Sequence, residues 1–336
     1  MLQGLGLVAI AAGWRSAGAA ASFADPLTPA GTAHEPGLVS EARWDWHDAA
    51  RQRDVPVLLY RPTAEPPSGR PWPLVVFSHG LGGSREGYRH LGSHWAAHGF
   101  ASLHVQHVGS DRRLWRGDGN PLALWGRIGE AASEAEAIAR TQDLRFALDR
   151  LESTQAGAQL DAGRCVVAGH SYGANTALLS IGARLQRQGH RVGFTEPRFQ
   201  AAILISAPPF HGEGDPAAIV GGIRVPTLHI TATGDDIRIP GYFSDHRDRI
   251  ALFEATGGPR KLLAVYEGGS HSMFTDRMAT GGFELNRQVK AATQALTLAF
   301  LRSVTQGDDL ALREWPERHR HLLARFSGPA SGYRGS

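Results

Sequence analysis

Seven near-continuous apolar runs set the frame of this chain: Val55–Tyr60, Leu74–Ser78, Ala101–Val105, Arg164–Ala168, Ala201–Ile205, Thr227–Thr231 and Leu262–Tyr266. A strand with one wet face alternates polar and apolar residues. Runs of Val, Ile and Leu without that alternation belong where both sheet faces are covered. Pro73 and Pro226 stand at strand starts, where a missing N–H is tolerated. Helix-like segments separate the runs, at 85–98, at 130–151, after Ser171 and at 283–303. In the second, Ile138, Leu144, Leu148 and Leu151 recur at helical spacing. Strands alternating with helices predict an α/β architecture, a mainly parallel central sheet flanked by helices on both faces. The chain has 336 residues, enough for a large core, and α/β enzymes of this length often form one domain.

Within that frame one turn carries chemistry. Gly169-His170-Ser171-Tyr172-Gly173 follows the apolar run Cys165-Val166-Val167-Ala168 and opens onto the helix-like Ala174–Leu179. A G-x-S-x-G between strand and helix places its serine on a sharp, strained turn. Side chains at the two glycines would collide with the neighbouring strand and helix. Ser171 is therefore the candidate nucleophile.

A serine hydroxyl is a poor nucleophile at neutral pH. It needs a base within hydrogen-bond reach and an acid to orient that base. The chain supplies both in the order Ser, Asp, His. After Thr227–Thr231 comes Ala232-Thr233-Gly234-Asp235-Asp236-Ile237-Arg238-Ile239-Pro240, where either aspartate can serve. An acid four residues before a proline is a common arrangement, and it selects Asp236, with Asp235 as the alternative. After Leu262–Tyr266, the loop Glu267-Gly268-Gly269-Ser270-His271 presents His271 as the base. Two N–H groups must face the developing oxyanion. Tyr172, next to the nucleophile, is one. Leu81, in the glycine-rich Ser78-His79-Gly80-Leu81-Gly82-Gly83 after an early strand, is the other.

The segment Pro73–Gly83, the later His98-Gly99-Phe100, the serine turn and the Gly-Gly-Ser-His271 loop together resemble platelet-activating-factor acetylhydrolases and dienelactone-hydrolase-like esterases of the α/β-hydrolase superfamily. The likeness spans about residues 55–300. It implies a Ser–Asp–His ester hydrolase that needs no metal and no cofactor. There is a departure. The eukaryotic acetylhydrolases take their acid from just after the preceding strand, and here that place reads Ile205-Ser206-Ala207-Pro208-Pro209, without an acid. The bacterial esterase and polyester-hydrolase arrangement is closer, which leaves a phospholipid substrate open. Ser171 at the elbow also separates this chain from cysteine-type dienelactone hydrolases.

The expected activity is hydrolysis of a small-molecule or lipid-like carboxylic ester. Polyesters and lipid acyl chains are the alternative substrates. A non-catalytic binding protein on the same fold is the alternative of another class, although no triad member is missing. Net charge is +3, with no dense basic block, so nucleic acid is not an expected partner. The single cysteine, Cys165, lies in a predicted buried strand and cannot form an internal disulfide. His90, His94 and His98 share a helical spacing, but without H-E-x-x-H or a nearby acid no metal is expected.

Residues 1–21 resemble a signal peptide, with an apolar stretch from Leu5 to Ala12 and an A-x-A at Ala19–Ala21. Export to the periplasm or medium is expected, with the cytoplasm as the alternative. The stretch is too short to span a membrane. Residues 22–40 read as a linker, 41–326 as the hydrolase domain and 327–336 as a flexible tail. Residues 108–129 interrupt the alternation and hold Trp115 and Trp125, which are expected to bind substrate from a lid-like insertion. In the stretch 308–326, Leu310, Leu312, Trp315, Leu322 and Leu323 are expected to pack a short helix on the body.

Overall fold

The computed structural model describes residues 38–66, 69–116, 121–210, 212–239, 242–278 and 280–328. The predicted export segment 1–21, the linker up to residue 37 and the stretch 329–336 lie outside the described residues.

The strands are β1 (Val39–Asp48), β2 (Arg53–Pro62), β3 (Trp72–Ser78), β4 (Ala101–Val105), β5 (Leu160–His170), β6 (Arg184–Arg187), β7 (His190–Gly193), β8 (Phe199–Ile205), β9 (Thr227–Ala232), β10 (Ile237–Ile239), β11 (Tyr242–Ser244), β12 (Lys261–Tyr266) and β13 (Leu323–Ser327). The helices are α1 (Arg89–Ala97), α2 (Pro121–Ala131), α3 (Glu134–Glu152), α4 (Tyr172–Ser180), α5 (Pro216–Val220), α6 (His246–Ala255), α7 (Phe283–Gln306) and α8 (Leu310–Arg318). Nine strands form one sheet in the order β1-β2-β4-β3-β5-β8-β9-β12-β13. The six from β4 to β12 run parallel. β2 and β1 add antiparallel at one edge and β13 at the other. Two small hairpins, β6–β7 and β10–β11, stand apart from it.

Successive side chains of a strand point to opposite faces, and the two cores divide accordingly. Leu74, Val76, Cys165 and Val167 join Leu144, Leu148 and Leu151 of α3 and Ala174, Ala177, Leu178 and Leu179 of α4. Val75, Phe77, Val166 and Ala168 join Leu91 and Trp95 of α1 and Val289, Ala292, Leu296, Phe300 and Leu301 of α7 on the other face. Both faces are covered, which is why these strands carry no polar alternation. Burial pushes the Cys165 thiol up to about 12, as befits a small core residue.

The structure differs from the sequence reading at three places. Val39 and Ser40, counted with the linker, begin β1, whose burial alternates as an edge strand's does. Within the 108–129 insertion, a 3-10 turn at Arg112–Trp115 leads to α2, which docks through Ile128 and Ala131 on Ile237 and Tyr242 of the β10–β11 hairpin. Near the C-terminus, Leu312 and Trp315 bury α8 as expected, but Leu310 is exposed. Leu323, expected on the helix, instead begins β13.

Candidate active site

Every candidate catalytic residue follows the carboxyl end of a parallel strand, where ligands collect in α/β sheets. Leu81 follows β3, Ser171 follows β5, Asp235 follows β9 and His271 follows β12.

Ser171 has φ 54° and ψ −123°, a conformation that L side chains rarely adopt. Its neighbours hold it there. The Ser171 N–H donates to the Ile205 carbonyl at 2.9 Å, and the Ser171 carbonyl accepts from Ala174 N–H at 2.8 Å. A Cβ at Gly173 would lie 1.9 Å from the Ser78 carbonyl oxygen, and one at Gly169 would lie 2.2 Å from the Gly173 carbonyl oxygen. Only glycine lets strand, turn and helix approach this closely. The Tyr172 N–H, in the first turn of α4, has no intrahelical partner and is free to meet an oxyanion.

His271 Nε2 lies 2.9 Å from Ser171 Oγ, and His271 Nδ1 lies 2.7 Å from Asp235 Oδ1. The carboxylate can only accept, so Nδ1 carries the proton and bare Nε2 faces the serine hydroxyl. Asp235 is fully buried. Its second oxygen accepts from Thr231 Oγ1 at 2.7 Å and faces Arg249 Nε at 3.5 Å. Burial alone would raise its pKa. The charge and hydrogen bond of His271, with Arg249 behind, outweigh burial and hold it below the usual carboxylate range.

The sequence favoured Asp236, and here the structure differs. The Asp235 N–H closes a turn on the Ala232 carbonyl at 2.9 Å, and Gly234 N–H bonds the Gly268 carbonyl at 2.9 Å. The acid loop is thereby drawn against the histidine loop. A Cβ at Gly234 would meet the Gly269 carbonyl oxygen at 2.4 Å. This closure turns the Asp235 side chain inward and leaves Asp236 at the surface, paired with Arg238 at 2.6 Å. The proline that favoured Asp236, Pro240, lies outside the described residues.

Two cavities meet at Ser171 and Leu81. The smaller, about 110 Å³, is mainly apolar, with Ile138, Leu179, Phe194 and Phe210 in its wall. The larger, about 630 Å³, holds His271, Arg112, Arg277, Trp115 and Trp125, so both expected tryptophans face the site from the insertion. Trp115 Nε1 donates to the Gly82 carbonyl at 2.9 Å and ties the insertion to the Leu81 loop.

Behind the site lies a buried polar cluster that the sequence reading passed over. Arg140 of α3 donates to Thr176 Oγ1 at 2.9 Å, Ser110 Oγ at 2.7 Å, Ser78 Oγ at 3.1 Å and the His79 carbonyl. Its guanidinium lies 4.4 Å from the centre of the Tyr172 ring. Arg53 spans Glu136 and Asp143, and His107 Nδ1 meets Asp143 at 3.0 Å. One signal was available. Arg140 sits in helical register with Leu144, Leu148 and Leu151, so a charge occupies the buried stripe of α3. His90, by contrast, pairs with Asp276 at 2.6 Å, and no group of three His, Cys, Asp or Glu side chains is arranged to hold a metal among the described residues. Among these residues, too, no helix is long and apolar enough to cross a membrane.

Comparison with known proteins agrees with this architecture. Residues 58–112 match the family model "Platelet-activating factor acetylhydrolase, isoform II". A platelet-activating factor acetylhydrolase of Cavia porcellus is 25% identical over 252 residues, covering 64% of this chain and 51% of the relative. The chain thus spans about half the length of that curated relative. Among solved structures, a ferulic acid esterase from Streptomyces cinnamoneus superposes with a TM-score of 0.56 at 22% identity, covering 82% of this chain and 92% of the other. The chain resembles the acetylhydrolases in sequence and has the α/β-hydrolase fold.

Proposed function

We propose that this protein is a serine carboxylic-ester hydrolase working through an acyl-enzyme. The observation that carries the reading is His271 bridging Ser171 at 2.9 Å and Asp235 at 2.7 Å at the meeting point of two cavities. His271 Nε2 takes the hydroxyl proton as Ser171 Oγ bonds to the ester carbonyl carbon. The carbonyl oxygen becomes an oxyanion held by the N–H groups of Leu81 and Tyr172. Asp235 stabilises the imidazolium. As the tetrahedral intermediate collapses, the C–O bond to the alcohol breaks and His271 passes its proton to the leaving oxygen. Water then repeats the sequence on the acyl-enzyme, releasing the acid and restoring Ser171.

The histidine must reach the leaving oxygen, so the alcohol occupies the cavity that contains His271. The acyl group then takes the smaller apolar cavity. An apolar cavity of roughly 150 Å³ holds benzene, so about 110 Å³ admits a chain of only a few carbons. Hydrolysis of p-nitrophenyl esters of increasing acyl length is the test. Activity should peak at short chains, Ser171→Ala should abolish it, and a fluorophosphonate should label wild type but not the variant. Full activity in Ser171→Ala would sink the reading.

A further inference from the structure

We propose that His79 is a positioning residue that aims the oxyanion donor at Leu81 by holding the Gly80 carbonyl. This rests on the ester-hydrolase reading and adds to it the device that orients one of its two donors. His79 is buried beneath the loop after β3. Its Nδ1 lies 2.7 Å from the Gly80 carbonyl oxygen, which can only accept, so Nδ1 bears the proton. Its Nε2 lies 3.0 Å from the His107 backbone N–H, which can only donate, so Nε2 is bare. Two neighbours that cannot exchange roles therefore fix one neutral tautomer. Burial, then the charges of Arg140 and His107, push its pKa well below the ordinary histidine value, in keeping with a neutral ring.

The Gly80 carbonyl also accepts from Gly83 N–H at 3.0 Å. A trans peptide is planar, with its C=O and the following N–H pointing opposite ways. Drawing the Gly80 oxygen down onto the His79 ring thus aims the Leu81 N–H away from the interior, toward the cavities Leu81 shares with Ser171. The peptide before it is clamped as well, because Arg140 donates to the His79 carbonyl. Residue 80 cannot be larger without cost: a Cβ there would meet His170 Nδ1 at 3.2 Å and Tyr88 Oη at 3.3 Å.

The same cluster contains a second serine–histidine–aspartate run. Ser78 Oγ lies 2.9 Å from His107 Nε2, and His107 Nδ1 lies 3.0 Å from Asp143. All three are fully buried, so no substrate reaches them. They serve as the backing to which the His79 peptide is fastened.

The test separates the two ring nitrogens. In His79→Asn the amide N–H₂ takes the place of Nδ1 and keeps a donor on Gly80. In His79→Gln the amide reaches the Nε2 position, keeps a contact to His107 N–H and leaves the Gly80 carbonyl without its side-chain donor. On p-nitrophenyl acetate, His79→Gln is expected to lose about 10- to 100-fold in kcat with KM within about twofold, below the ~10²–10³ of deleting a donor outright. His79→Asn should stay within about fivefold of wild type. A trifluoromethyl ketone, which forms an oxyanion on Ser171, should lose affinity for the Gln variant in parallel with kcat. Equal kcat in the two variants, or losses that merely follow the folded fraction in thermal unfolding, would overturn the assignment. Independently of the variants, ¹⁵N NMR of the wild-type imidazole should report His79 as the Nδ1–H tautomer at pH 7, and an Nε2–H or cationic ring would also overturn it. Fluorophosphonate labelling of wild type keeps the layers apart. No labelling defeats the hydrolase reading itself, whereas labelling with equal Asn and Gln variants defeats only the role of His79.

Discussion

Asp235 and Asp236 are adjacent in sequence, yet only one side chain of such a pair can turn inward. The hydrogen bond from Asp235 N–H to the Ala232 carbonyl decides which. Asp235 meets His271, Thr231 and Arg249, while Asp236 meets the exposed Arg238. Asp235→Asn keeps the shape but offers the imidazole an ambiguous partner, and the histidine can settle in the wrong tautomer. A loss of about 10⁴ in kcat is expected, as in comparable triads, against less than about threefold for Asp236→Asn. Steady-state kinetics on a short p-nitrophenyl ester checks both, and a larger loss in the Asp236 variant would reverse the roles. This is also where legibility ended in the site. Ser171 and His271 were readable because glycine spacing and chain order are local signals. The inward aspartate was not, since its turn is closed by contacts with the Gly268–Gly269 loop, some thirty residues away. Nothing local in the sequence assigns His79 or Arg140 a role, because only the sheet brings both under Leu81.

At the scale of elements, glycines mark where backbones touch and where they do not. Gly173 sits where α4 approaches the end of β3, and a methyl there runs into the Ser78 carbonyl, which cannot yield as a side chain would. Gly173→Ala is expected to cost more than about 3 kcal/mol in urea denaturation and to abolish fluorophosphonate labelling, because the turn holding Ser171 must shift. Gly126 is the contrast. It lies exposed in α2 with nothing within 4 Å of a would-be Cβ, so Gly126→Ala should stabilise by ~0.5–1 kcal/mol, mainly by restricting the unfolded chain. A destabilised Gly126→Ala would mean that α2 needs its present give. Which elements the sequence disclosed follows the same physics. The parallel strands announced themselves because two covered faces demand unbroken apolar runs. β1 is an edge strand that alternates through Arg43, Trp44, Asp45 and Trp46, and β13 lies among Arg and His, so neither stood out. Helix α2 was hidden by Gly126 and by the loop-like residues around it.

For the molecule as a whole, the histidines set how the fold meets acid. Among the buried histidines of the described residues, five, His79, His104, His107, His170 and His229, are held below the ordinary value, with burial the leading cause for each. For His104 the native pKa is about 4, and for His170 and His229 about 3, against an ordinary value of 6.5. The local bonding agrees. His170 Nε2 donates to the His271 carbonyl at 3.1 Å and Nδ1 faces the Tyr88 hydroxyl at 2.8 Å, an arrangement that needs only one ring proton. Above pH 6.5 these rings are neutral folded or unfolded, so they make stability no steeper in pH. Below 6.5 the unfolded chain binds protons that the folded one refuses, and stability falls as pH falls. The decline continues until the native pKa values near 3–4 are reached. The carboxylate of Asp276, lowered to about 2 with His90 as its partner, adds its own loss only below about pH 4. Each such histidine contributes a slope of ~1.4 kcal/mol per pH unit, so His104, His170 and His229 alone give ~4 kcal/mol per unit. Against a total of about 5–15 kcal/mol, that slope removes the whole of it within roughly one to four units below 6.5. Urea midpoints should therefore be level from pH 7 to 9, bend downward at about 6.5 and keep falling toward pH 4. A midpoint that stays level down to pH 4.5 would mean that these rings either accept protons in the folded state or are reached by water there.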